Sequence, residues 1–125
     1  MTDGGPVSDL AGMLAGMAPV LDGCEWRFVL VKDEAPADAF AIIREDEGTT
    51  AIVAGAGEGA AFARITLQVH SALDGVGLTA AVAATLADAA IACNVVAGFH
   101  HDHLFVPWNR RDEALERLQR LAQAG

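Results

Sequence analysis

Residues Arg64–Trp108 read RITLQVHSALDGVGLTAAVAATLADAAIACNVVAGFHHDHLFVPW, and this stretch decides the fold. In Arg64–His70 the apolar Ile65, Leu67 and Val69 alternate with Arg64, Thr66, Gln68 and His70, the period of a half-buried strand. Ser71–Gly77 is a glycine-punctuated loop. Beyond it Leu78, Val82 and Leu86 recur at i, i+4, i+8 and, with Ala81, Thr85 and Ala89, predict one apolar helix face. A second strand over Ile91–Phe99 and a third over Leu104–Trp108 flank the turn His100–His103, so they read as a hairpin. Gly98 within that strand marks a bulge or a close backbone approach. Asn109 is the expected cap of a last helix with Ala114, Leu115, Leu118, Leu121 and Ala122 on its buried face. The order is strand, helix, strand, strand, helix.

Working outward, Met1–Val7 carries Gly4, Gly5 and Pro6 and little to bury, and is expected to fray. Ser8 is the expected N-cap of a short helix whose core positions are Leu10, Met13, Leu14, Met17 and Ala18, ended by Pro19. Three strands are predicted at Glu25–Val31, Ala39–Arg44 and Thr49–Val53, with Asp46-Glu47-Gly48 as a hairpin connection. Gly55-Ala56-Gly57-Glu58-Gly59-Ala60 fits the dinucleotide fingerprint on paper, with Asp74 further on. Too few residues remain before the next strand for the helix that fingerprint requires, so the segment reads as a linker.

At 125 residues the chain can bury a core without metal or disulfides. Its 8 Lys+Arg against 17 Asp+Glu give a net charge of −9, which repels phosphate backbones and anionic lipid, so nucleic acid and membrane are not expected partners. The N-terminus lacks the basic and apolar regions of a signal peptide, and the apolar runs are too short to span a bilayer. Cys24 and Cys93 therefore read as reduced thiols in a cytoplasmic protein.

The motifs for covalent or metal-assisted catalysis are missing: there is no P-loop, nucleophile elbow, HExxH or CxxC. No enzyme and no cofactor are expected. Glu45, Asp46 and Glu47 form a solvated turn, and Cys93 sits in an apolar strand as a packed thiol. His100-His101-Asp102-His103 is the sharper temptation. His101 and His103 are candidate metal ligands if His70 or Asp74 converges on them; otherwise Asp102 forms the turn and His103 is hydrogen-bonded.

The region from Arg64 to about Leu121 resembles an ACT domain. The words RITL, VHS, VGLTA, CNVVAG and HDHLFVP resemble a family of small stand-alone bacterial ACT proteins. The resemblance implies an α+β, ferredoxin-like fold with two ACT-like lobes, residues 8–60 as a degenerate first lobe and 61–125 as the second, each with an antiparallel sheet and helices on one face. Three departures stand out: Asp74-Gly75-Val76-Gly77 replaces a Pro-Gly turn, Phe99 and His100 replace other aromatics, and Ala90 replaces a Gly. If Ala90 takes positive φ it costs about 1 kcal/mol.

The resemblance also implies a regulatory, non-catalytic protein, a homodimer, that binds an amino acid near the loop. Backbone N–H groups at the start of the helix, near Val76–Thr79, lack intrahelical partners and suit a carboxylate. The expected ligand-binding residues are Ser71, Asp74, Gly75, Val76, Gly77, Leu78 and Asn94, the last supplying both donor and acceptor. Three other readings stay open, one of them a metal-dependent enzyme centred on His101 and His103. The glycines could serve only a tight turn, with Asn94 paired to backbone. The chain could also be an interaction module that buries Phe105 and Val96 against another subunit.

Overall fold

The computed structural model describes residues 9–70 and 73–124, so the expectations for Met1–Val7 and for Ser8 as a cap lie outside the described residues. Asp9 takes the capping role: its carboxylate accepts from the Gly12 N–H at 2.8 Å and opens α1, Leu10–Ala15. The helix is shorter than its apolar spacing predicts because Gly16 closes it. Ala18, at φ 39°, then turns the chain into Pro19. Met17 therefore leaves the helix yet stays fully buried, its carbonyl accepting from Gln68 N–H at 2.8 Å.

The strands are β1 (Pro19–Val31), β2 (Ala41–Glu45), β3 (Gly48–Ala54), β4 (Phe62–Leu67), β5 (Asn94–Ala97) and β6 (Asp102–Pro107). Helices α2 (Leu78–Asp88) and α3 (Arg111–Ala124) follow β4 and β6, with a 3-10 turn at Trp108–Arg110 ahead of α3. Asn109 thus lies inside that turn rather than capping the helix. All strand pairs are antiparallel in one six-stranded sheet of order β2-β3-β1-β4-β6-β5. The predicted β2–β3 hairpin forms, with Glu45 opposite Gly48.

Strand β1 begins at Pro19, six positions before the predicted Glu25, and this extension joins the molecule. Its first part pairs with β4 (Leu21 opposite Ile65) and its second with β3 (Phe28 opposite Ile52). Between them the register slips at a bulge from Leu21 to Glu25, where the Asp22 carboxylate accepts from Cys24 N–H at 3.0 Å. The run β4-α2-β5-β6-α3 lacks the closing strand of a βαββαβ unit. The start of β1 fills that place beside β4.

Strands β3 and β4 run parallel on opposite flanks of β1, and residues 55–61 carry the chain between them without a helix. The dinucleotide fingerprint has no helix to open. Arg27 instead holds the segment, donating from Nε to Gly55 O at 3.0 Å and from Nη1 to Glu58 O at 3.5 Å.

The helix-bearing face holds the main core. Ala63, Ile65 and Leu67 of β4 and Leu104 and Val106 of β6 meet Leu78, Val82 and Leu86 of α2, Ala114 and Leu118 of α3, and Met13 and Met17. Each large side chain buried there contributes about 1.5–3 kcal/mol. The opposite face is not bare: Trp26, Ile52 and Phe105 form a second core with Phe40 and Phe62 packed on it. Phe40 precedes β2 at one edge of the sheet, yet its ring lies 4.9 Å from that of His103 on β6, so the sheet curls over its own aromatic face. No helix among the described residues is long and apolar enough to cross a membrane.

Strand β5 is shorter than the predicted Ile91–Phe99, because Ile91 is drawn under the helices and is only 3% exposed. The bend is made at Ala90, which takes φ 57°. Arg110 closes the helix end, donating from Nη2 to Ala89 O at 3.0 Å and to Glu113 at 2.7 Å; the hydrogen bond from Arg110 holds the Glu113 carboxyl below its ordinary pKa. Ala90→Gly should stabilise the protein by about 1 kcal/mol, raising Tm by about 3 °C. A thermal melt with Tm unchanged or lowered would show that the left-handed alanine is not strained.

Candidate functional site

At the end of β4 the chain loops into α2, and Gly77 is the N-cap of that helix at φ 104°. An added Cβ there would be strained by the backbone angle and would meet Leu10 Cδ2 at 3.2 Å. Gly77 has no side chain to cap the helix, and α2 has no acidic residue in its first turn, so the positive end of its dipole is not neutralised from within the helix. Beside it lies a cleft of about 80 Å³ lined by Met13, Leu73, Gly75, Leu78, Thr79, Ala97 and Asp102.

Of the residues expected to bind a ligand, Gly75 and Leu78 line this cleft and Gly77 precedes Leu78 as the helix N-cap. Asp74 is exposed on the same loop, Val76 is 81% exposed, and Ser71 lies outside the described residues. Asn94 is not brought to them. It sits opposite Phe105, which sits opposite Arg64, whereas the β5 residue at the cleft is Ala97. Three residues of extended strand, about 10 Å, separate the two.

The histidine turn is scattered. His103 lies opposite Thr66 and shares a hydrogen bond between its Nδ1 and Thr66 Oγ1 at 2.9 Å. Burial, then the nearby Arg64 and His101 charges, lower its pKa from the ordinary 6.5. The His70 and His100 rings lie tilted to one another with centroids 5.4 Å apart. Among the described residues no three His, Cys, Asp or Glu side chains converge as a metal would require. Burial pushes the Cys93 thiol pKa up, which disfavours the thiolate.

A second polar cluster stands on the aromatic face. Arg64 lies with its guanidinium carbon 4.4 Å from the Trp26 ring and 4.8 Å from the Phe40 ring. Its Nη2 donates to Asp22 Oδ2 at 2.7 Å, and the same oxygen accepts from the Trp26 indole at 3.2 Å. Its Nε is buried without a hydrogen-bond partner. Phe105, which the interaction-module reading buries against another subunit, is 0% exposed because Trp26, Phe28 and Phe40 cover it within the chain. Sequence periodicity assigned Arg64 and Thr66 to the wet face of their strand. The available signal was Trp26, Phe28 and Phe40 in the first half, three large rings that needed something to cover.

One ACT-domain model matches residues 63–120 and a second matches residues 6–65. A crystal structure of a Vibrio cholerae protein of unknown function, described as a possible transport protein, is similar with a TM-score of 0.77. It is 38% identical over 90% of this chain and 95% of that one. An Agrobacterium tumefaciens protein shares the fold, with a TM-score of 0.60 at 20% identity over 79% of this chain and 82% of its own. No curated protein matches the chain. With ACT-domain matches running from residue 6 to residue 120 over a ferredoxin-like α+β fold, the chain belongs to the ACT-domain family.

Proposed function

We propose that this is a non-catalytic regulatory protein that binds an amino acid at the loop before α2, with residues 8–60 and 61–125 as its two ACT-like halves. ACT domains are typically regulatory ligand-binding modules, and the observation that carries the reading here is the cleft at the uncapped start of α2. A space of about 80 Å³ is far below the ~300 Å³ or more of a drug-sized or nucleotide pocket. It suits the head of an amino acid, with the carboxylate on the helix N–H groups and the side chain leaving past Val76 and Leu73. Asn94 belongs to this proposal only if the ligand extends along β5.

Self-association is part of the same proposal. Its support is the edge strand β2, where Ile42 and Ile43 are exposed, with Leu30 two strands in at 68% exposure.

A panel of free amino acids at millimolar concentration tests both parts. A ligand at ten times its Kd should add about 1.4 kcal/mol and raise Tm, and Gly75→Val at the cleft wall should abolish the shift. No shift with any amino acid would reject the ligand, and a strict monomer by light scattering in every sample would reject the dimer.

A further inference from the structure

The seam on the aromatic face carries an inference independent of the ligand reading. Phe40, in the connection ahead of β2, closes this seam as a strap. Its ring meets Trp26 at 5.7 Å, Phe105 at 5.8 Å and His103 at 4.9 Å between centroids, and its N–H donates to Ile52 O at 2.8 Å.

We propose that His103 is an acid-sensitive catch on this strap: uncharged, it packs under Phe40; charged, it loosens the strap and uncovers Trp26 and Phe105. The argument is one of place. The Phe40 ring already lies over the Arg64 guanidinium, so an imidazolium beside it would be a second cation on one aromatic ring. The groups around His103 are Arg64 and Thr66 from β4, His101 and Asp102 from its own hairpin, Val96 opposite on β5, and Phe40. Of the neighbouring charges, Asp102 favours the charged form. Arg64 and His101 oppose it, and so does burial.

The sign follows from linkage. With its folded-state pKa lowered, His103 leaves stability untouched above the ordinary 6.5. As pH falls from 6.5 towards the folded value, the unfolded chain takes the proton first and the folded state loses stability.

An NMR titration from pH 8 to pH 5 tests the catch, following the His103 ring and the exchange of the Phe40 amide. The expected result is a His103 midpoint below 6.5, with Phe40 protection falling several-fold across that midpoint while the Ile65 amide holds. In His103→Gln the Phe40 protection should stay flat, and in His101→Gln the transition should persist. A midpoint at or above 6.5, a Phe40 amide indifferent to the His103 titration, or a transition that survives in His103→Gln would each overturn the proposal. The wild-type titration decides the matter even if His103→Gln does not fold.

Discussion

Phe105→Ala should cost about 3–5 kcal/mol of stability. The ring is fully buried, with Phe28, Phe40 and Trp26 at centroid distances of 5.5, 5.8 and 6.2 Å, all tilted or edge-on. Truncation removes the transfer free energy of the ring and also these aromatic contacts, each worth about 0.5–1.5 kcal/mol. The hole cannot close easily. Phe105 stands on a strand held on both sides, opposite Arg64 of β4 and Asn94 of β5, so the backbone cannot sink towards the cavity. Phe99→Ala is the matched control: at 72% exposure it should change stability by no more than about 0.5 kcal/mol. Urea denaturation reads both. A loss below about 1.5 kcal/mol for Phe105→Ala would mean that the aromatic face is a loose cover rather than a second core.

That second core marks the limit of what the sequence made legible. The alternation of Ile65, Leu67 and Val69 and the spacing of Leu78, Val82 and Leu86 placed the helix-bearing face correctly, because strand and helix periods are local properties. The same alternation sends Arg64 and Thr66 to the other side of β4. It says nothing about whether the sheet will curl and cover them, since that depends on Phe40 and Trp26, which lie far away in sequence. The start of β1 was hidden in the same way. No strand is predicted over residues 19–24, and only pairing with β4 shows Asp22-Gly23-Cys24 to be a bulge inside one long strand. In the candidate site, Gly77 was legible because a helix start at positive φ favours glycine. The position of Asn94 was not, because a strand's register against its neighbours is set by the whole sheet.

The Asp22–Arg64 pair should be worth more as a pair than either partner alone suggests. Its side chains are 26% and 23% exposed, so the pair is neither a screened surface contact nor a fully buried one. Asp22→Ala strands the guanidinium between two rings and also takes the acceptor from the Trp26 indole and the Cys24 amide. About 2–3 kcal/mol should be lost. Arg64→Met keeps an unbranched stem between Trp26 and Phe40 and leaves Asp22 its other two donors, so it should cost less, about 1–2 kcal/mol. In the double variant no stranded charge remains. Its loss should therefore fall short of the sum of the singles by about 1–2 kcal/mol, a coupling that 1 M salt reduces only in part. Denaturation of the four proteins measures it. Additivity within about 0.5 kcal/mol would mean that the rings alone hold the seam. A coupling of the expected size would mean that the charge on β4 fixes how the first half of the chain folds over the second.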